Sequence, residues 1–329
     1  MIPDHIPAVL TLTLNPALDL SSDTPRIAPG HKLRCTEPRL DPGGGGINVS
    51  RLVTRLGGDT TAFVALGGGT GMQLVAALQK EGISTRIVPI KGETRTSLSV
   101  RDMATGEQFR FMLPGPALTD AEYEAAIVAL LEEAATGDYV VISGSLPTGA
   151  PADLINEIAH RLSEAGVRVV IDTSGAALDH IVAHPPADGA CPEVLRFDHL
   201  EAEGAAMRPL PRREDTARFA ADLVARGIAR RVVVGRQAEG NLLADADGIW
   251  FASAAKVEVV STIGAGDSFL AALTYAFATG ATAAEALQWG TAAACAAVAT
   301  PGTQVCAPET VEALRPKCSL SPVKMATPV

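Results

Sequence analysis

The sequence predicts an α/β protein with a mostly parallel central sheet covered on both faces, and three observations carry that expectation. Short β-rich runs alternate along the chain with segments of helical period, the pattern of strands joined by crossover helices. Glycine-rich turns stand where apolar runs give way to helices. Across 329 residues, 47% are hydrophobic, enough to bury a large core and to exclude disorder as the main theme.

The first element is the run Val9–Leu14, which ends at Asn15-Pro16-Ala17-Leu18-Asp19. A strand that stops at Asn-Pro delivers the next residues to the carboxyl edge of the sheet, where open α/β folds place their ligands. Asp19 is therefore a candidate to bind ligand hydroxyls. The segment His31-Lys32-Leu33-Arg34-Cys35-Thr36 alternates as a strand would, with Lys32 and Arg34 on one face as a candidate phosphate clamp. Four glycines, Gly43 to Gly46, then open into Ile47, Val49, Leu52, Val53 and Leu56 at helical spacing. Bare backbone is thus expected at a helix start, with Asn48 in the first turn.

Alternation continues through Thr61–Leu66 and Met72–Leu78, Ala125–Leu131 and Tyr139–Ser143, Leu154–Leu162 and Val167–Asp172, then Ala217–Ala225 and Arg231–Val234. Between these units, Thr96–Asp102 and Gln108–Leu113 flank Ala104-Thr105-Gly106 and predict a hairpin. With the strand expected at 31–40, it makes a small β-sheet lid, inserted from about 20–41 and 94–113 into a single domain spanning 1–329. Ser143-Gly144-Ser145-Leu146-Pro147 ends a strand and should border the ligand crevice, and the tail from Lys317 is expected to be loosely ordered.

Ser261-Thr262-Ile263-Gly264-Ala265-Gly266-Asp267-Ser268-Phe269 follows the apolar run Val257–Val260 and opens a helix that continues through Ala271–Ala278. This strand-to-helix turn aims the free N–H groups around Gly264, Ala265 and Gly266 at one point, an anion hole for a transferring phosphoryl group. Asp267 falls in the first helical turn, beside those donors, as a proton acceptor.

A net charge of −10 excludes sequence-independent nucleic-acid binding, which needs a basic surface. The five cysteines, Cys35, Cys191, Cys295, Cys306 and Cys318, are scattered and suggest neither a disulfide framework nor a zinc site. With no signal-peptide pattern in residues 1–8 and no apolar run near the ~18 residues of a membrane span, a cytoplasmic protein is expected, with no membrane partner.

Taken together, Thr11–Leu14 with Asn15, Pro16 and Asp19, Pro42–Gly46 with Asn48, Ser143–Pro147 and Thr262–Asp267 resemble, in order and approximate spacing, the ribokinase-type PfkB sugar kinases. Within that family the chain is most similar to the phosphosugar kinases of the 6-phosphofructokinase branch, through Lys32–Thr36 and Pro42–Val49. The related 1-phosphofructokinases and tagatose-6-phosphate kinases usually carry Gly-Gly-Lys-Gly, and here the lysine position is Gly45.

The resemblance implies a three-layer α/β/α ribokinase-like domain with a β lid, often shared between two subunits, hence a homodimer. It implies MgATP-dependent phosphorylation of a phosphorylated ketohexose, foremost fructose 6-phosphate. Tagatose-6-phosphate kinase and 1-phosphofructokinase are the alternatives, and a non-catalytic sugar-phosphate sensor is the alternative outside the enzymes. Carried onto matching positions, Asp267 is the general base, with Gly264, Ala265 and Gly266 as the anion hole. Asp19, Gly43, Gly44, Asn48 and Ser145 bind sugar hydroxyls, while Lys32, Arg34 and Arg95 meet the phosphate already on the substrate.

Two nucleotide-side motifs depart from the family pattern. Relatives commonly have Lys-Pro-Asn-x-x-Glu where this chain has Arg196-Phe197-Asp198-His199-Leu200-Glu201. Glu201 remains available to order Mg²⁺ through water, and Arg196, Asp198, Gly235 and Thr262 are the candidate ATP contacts. After the strand Arg231–Val234, Gln237 stands where relatives usually have glycine, so a poorer donor fit is expected.

Overall fold

The computed structural model describes residues 6–186, 190–302 and 304–324. In chain order its elements are β1 (Val9–Thr13), β2 (Ala17–Thr24), β3 (Arg39–Gly43), α1 (Gly45–Arg55), β4 (Ala62–Leu66), α2 (Gly68–Lys80), β5 (Thr85–Pro89), β6 (Arg95–Asp102) and β7 (Gln108–Met112). There follow α3 (Asp120–Glu133), β8 (Tyr139–Ser143), α4 (Leu154–Glu164), β9 (Arg168–Asp172), α5 (Ala176–Ala183), β10 (Val194–Phe197), α6 (His199–Ala206), α7 (Arg213–Ala225) and β11 (Arg231–Gly235). The chain closes with β12 (Gly240–Ala244), β13 (Ile249–Ser253), α8 (Ala265–Ala278), α9 (Ala283–Val298), α10 (Pro308–Leu314) and β14 (Leu320–Pro322).

Ten strands form the central sheet in the order β14-β13-β12-β11-β10-β9-β8-β1-β4-β5. It is parallel from β5 to β11, and only the last three strands run antiparallel. Every residue of β1, β4 and β8 is buried, as a sheet covered on both faces requires. The period-two alternation sorts the two cores. Leu10 and Leu12 of β1, with Val140 and Ile142 of β8, pack toward α3, α4, α5, α6 and α7. Val9 and Val141 face α1, α8, α9 and α10 instead. The outcome is the three-layer arrangement anticipated from the alternation.

A second sheet, in the order β3-β2-β6-β7, stands outside these layers. Its β6–β7 hairpin was legible in the sequence, but its other half was not. Of the strand expected at 31–40 only Arg39 and Leu40 form one, as the start of β3, which pairs β2 over 17–21 while β6 pairs it over 17–24; residues 31–38 form no strand. Those residues instead make an exposed loop, held where Thr36 N donates to Asp23 O at 2.9 Å and Thr24 Oγ1 to Arg34 O at 3.3 Å. The run Val257–Val260 is likewise not a strand; β13 ends at Ser253, and irregular chain leads into the glycine turn. The tail is better ordered than expected as far as β14, which pairs with β13, while residues 325–329 lie outside the described residues.

The chain leaves β1 toward β4 and β5 on one side and returns to β8 on the other, so the sheet order reverses between β1 and β8. Crevices at such a reversal, at the carboxyl ends of the strands, are where α/β sheets bind ligands.

Candidate functional site

A polar crevice of about 400 Å³ opens at that reversal. Its walls include Asp19 on β2, Gly44 and Asn48 around the start of α1, Ser145 after β8, Asp172 at the end of β9, and Asp267 on α8. Buried polar atoms of its lining, among them Ser143 Oγ, Thr173 Oγ1 and Arg196 Nε, have no hydrogen-bond partner. Unmet hydrogen-bonding capacity concentrated in one crevice is the signature of a site built for a polar ligand.

One end of the crevice is the start of α8. Gly264 takes φ +73° at the N-cap, and a Cβ on Gly266 would stand only 3.0–3.1 Å from the Arg196 guanidinium. Both glycines are thus required, one by a left-handed turn and the other by close approach. The first in-helix bond is donated by Ser268 N to Gly264 O at 2.9 Å, so the N–H groups of Ala265, Gly266 and Asp267 are not spent within the helix. Asp267 follows in the first turn, as expected. Although its side is open to the crevice, protein encloses it closely. Burial pushes its carboxyl up to about 6, against the lowering effect of a 2.9 Å hydrogen bond from Asn48 Nδ2; Asp172 raises it further and Arg196 lowers it. A carboxyl poised near neutrality beside unspent N–H donors suits a general base.

The opposite wall is the inner face of the small sheet. Burial raises the Asp19 carboxyl, opposed by the charges of Arg95 and Arg110. Gly43 does not line the crevice but backs directly onto Asp19, while Gly45 lies against Ser143 Oγ so closely that no side chain fits there. Arg95 does line it, with much of its fork spent on backbone: Nε and Nη2 donate to Asn15 O at 3.2 and 3.1 Å. Asn15 Nδ2 in turn donates to Ser145 Oγ at 3.2 Å and Leu146 O at 3.0 Å, tying β1 to β8 across the switch point.

Lys32 and Arg34 do not line the crevice; they stand exposed on the 31–36 loop. The clamp expected from their alternation is therefore absent within one chain. Arg110 on β7 faces the crevice in their place, a residue that sequence reasoning missed although it lies in the expected hairpin. Asp172 was missed as well, and its signal was a carboxylate at the end of an apolar strand.

A second cavity of about 650 Å³ adjoins the first, and its walls include Phe269, Ala294, Val298, Val257, Gly235 and Asp198. Arg196 and Thr262 line both cavities. Arg196 Nη1 donates to Asp172 Oδ1 at 2.8 Å, so this cation sits at the junction of the two cavities and not only on the nucleotide side where the sequence placed it. Asp198 is committed to α6: its Oδ1 accepts from Glu201 N at 2.8 Å and its N–H donates to Glu201 Oε2 at 2.7 Å, a reciprocal cap. Gln237, at the cavity mouth, has φ +52°, a left-handed conformation that glycine adopts without penalty. Glu201 lines the crevice, its carboxyl raised by burial and by the negative charges of Asp198 and Asp172, despite the backbone bond from Asp198.

The pfkB family carbohydrate kinase model matches residues 12–310. The ATP-dependent 6-phosphofructokinase isozyme 2 of Mycobacterium tuberculosis is 39% identical over 306 residues, covering 93% of this chain and 88% of the relative. The protein of the same name from Escherichia coli is 38% identical over 298 residues, covering 91% and 94%. The crystal structure of phosphofructokinase-2 from Escherichia coli in complex with fructose-6-phosphate superposes with a TM-score of 0.87 at 35% identity, covering 94% of this chain and 98% of that one. A buried carboxyl at a helix N-terminus, two adjoining cavities and this likeness along almost the whole chain agree: the protein belongs to the pfkB family of carbohydrate kinases.

Proposed function

We propose that this kinase transfers the γ-phosphoryl group of MgATP to the free primary hydroxyl of fructose 6-phosphate, giving fructose 1,6-bisphosphate and ADP. The observation that carries the reading is the position of Asp267, in the first turn of α8 where the two cavities meet. The apolar-walled cavity suits the flat base of a nucleotide, and the polar crevice suits a sugar phosphate. The relatives' names point to the same pair of substrates.

In this reading Asp267 accepts the proton of the attacking hydroxyl as its oxygen bonds to phosphorus and the bond to the ADP oxygen breaks. The N–H groups at Gly264, Ala265 and Gly266, with Arg196, meet the charge on the transferring group. Asp19, Gly44, Asn48 and Ser145 hold sugar hydroxyls, Gly43 sets the position of Asp19, and Arg95 with Arg110 meets the existing phosphate. Thr262, Gly235 and Arg196 border the ATP.

Magnesium fits the residues present. Glu201 has a carboxyl raised by burial and by the negative charges of Asp198 and Asp172, which the Arg196 cation only partly offsets, and an added cation would be favoured there. Among the described residues no three His, Cys, Asp or Glu side chains form a metal cage. When bound, Mg²⁺ neutralises the phosphate oxygens, with Glu201 ordering its waters.

The assembly we propose is a homodimer through the small sheet. Leu40, Leu20, Leu98 and Phe111 are cross-strand neighbours on the sheet face turned away from the crevice, and Leu40, Leu98 and Phe111 are exposed. Lys32 and Arg34 lie on the adjoining loop, so a phosphate role for them requires the partner subunit. A cytoplasmic setting accords with five free cysteines.

Coupled ADP release across fructose 6-phosphate, fructose 1-phosphate, tagatose 6-phosphate and fructose tests the function. The expected result is the highest kcat/KM for fructose 6-phosphate; equal use of unphosphorylated fructose, or no turnover on any sugar, overturns the reading.

A further inference from the structure

The hydrogen bonds behind Asp267 continue into α1 and beyond. Asn48 Nδ2 donates to Asp267 Oδ2 at 2.9 Å, and Asn48 Oδ1 accepts from Arg51 Nη1 at 3.1 Å. Arg51 Nε and Nη2 donate to the two carboxylate oxygens of Glu81, just past α2, at 2.7 and 2.8 Å. Arg51 lies one helical turn after Asn48, and its side chain is only 4% exposed.

The polarity of this chain is dictated by its ends. A guanidinium has donors only and an ionised carboxylate acceptors only, so the amide between them has one satisfying orientation. Reversed, Asn48 would set its NH₂ against Arg51 and its oxygen against Asp267. The buried side of α1 otherwise consists of residues such as Ile47, Val49, Leu52 and Val53, where an aliphatic side chain would be cheaper to bury than a charge.

We propose that Arg51, anchored by Glu81, is a positioning residue that locks the Asn48 amide with its N–H on Asp267 Oδ2, leaving Oδ1 to receive the substrate proton. The inference rests on the proposed role of Asp267 as base. Three groups set the charge environment of Asp267: Asn48 from α1, Asp172 from β9 and Arg196 from β10. Loss of the lock frees the amide to turn and removes the one neutral donor that favours the ionised carboxylate.

The test is steady-state kinetics of Arg51→Leu, Arg51→Lys, Asn48→Ala, the double variant Arg51→Leu/Asn48→Ala, and Asp267→Asn, with fold checked by circular dichroism. Expected is a roughly tenfold or greater fall in kcat for Arg51→Leu, the scale of a coupled pair. Its sugar-phosphate KM should rise by less than kcat falls, since Asn48 also meets a sugar hydroxyl, and the acid limb of kcat should move to higher pH, with substantial recovery in Arg51→Lys. In the Asn48→Ala background, Arg51→Leu should add almost nothing. Should Arg51→Leu not fold, Glu81→Gln takes its place and should show a smaller kcat loss that is also silent without Asn48. An equal kcat loss with and without Asn48, or an unmoved acid limb, overturns the lock. Full turnover in Asp267→Asn overturns the proposed base itself, so the two failures are distinguishable.

Discussion

Replacing Asp267 by Asn should make the protein more stable and nearly inactive at once. The carboxyl is raised from 3.8 to about 6, chiefly by burial. At 1.36 kcal/mol per pKa unit, holding it ionised in the folded state costs up to about 3 kcal/mol. The sign follows from the folded-state value lying above the unfolded one. The group imposes no penalty below pH 3.8, where it is protonated in both states, and its full penalty above about 6. Asparagine keeps an oxygen to accept from Asn48 and carries no charge. Urea unfolding should therefore show Asp267→Asn gaining about 3 kcal/mol at pH 7.5 and about half as much at pH 5. With both substrates saturating, kcat should fall about 10²–10⁴-fold, the contribution of a positioned base. In the wild type, kcat should itself drop about tenfold between pH 7 and pH 5 as the carboxylate is titrated. A variant less stable than wild type at pH 7.5, or one that still turns over, refutes the argument that this carboxylate is held under strain for catalysis.

Two further outcomes follow from the walls of the two cavities. Arg110→Ala and Arg95→Ala should each raise the KM for the phosphosugar by roughly 10- to 100-fold, as expected for a lost charge-assisted bond of about 1.5–3 kcal/mol, while leaving the ATP KM within a few-fold; initial-rate kinetics with each substrate varied will decide. On the donor side, Gln237→Gly should relieve about 1 kcal/mol of left-handed strain, raising the melting temperature and lowering the ATP KM, whereas Asp198→Ala should cost about 1 kcal/mol through loss of the α6 cap; unchanged melting in both variants would contradict those roles.

The parts of the site legible in the sequence are those made by contiguous residues. Gly264–Asp267 and Gly43–Asn48 each fix a turn and a helix start within a few residues, and local chemistry suffices to read them. Asp172 and Arg196 lie 24 residues apart, so their pairing follows from β9 and β10 being neighbours, which no local pattern reports. Arg110 was visible as part of a hairpin, but its face depended on register with Ser99. Lys32 and Arg34 misled because alternation signals a strand only where there is something to bury, and Leu33 between them is itself exposed. Strand β2 was overlooked for the converse reason: Ser21, Ser22 and Asp23 carry no apolar signal, and neighbours on both sides supply the pairing.

Four segments join the small sheet to the main body, residues 14–16, Gly44, 90–94 and 113–119, and Gly44 lies in the wall of the crevice. Asp19 and Arg110, to which the proposed function gives the sugar phosphate, ride on that sheet, whereas Asp267, Asp172 and Arg196 belong to the main body. In the proposed reaction, acceptor and base are thus carried by different sheets and layers of the fold. On that reading, the distance between the attacking hydroxyl and the carboxylate is fixed by how the small sheet is seated on the main body, not by Asp267 alone. A sugar phosphate that bridges the two parts then carries its own alignment into the site, and an acceptor lacking the phosphate forfeits it.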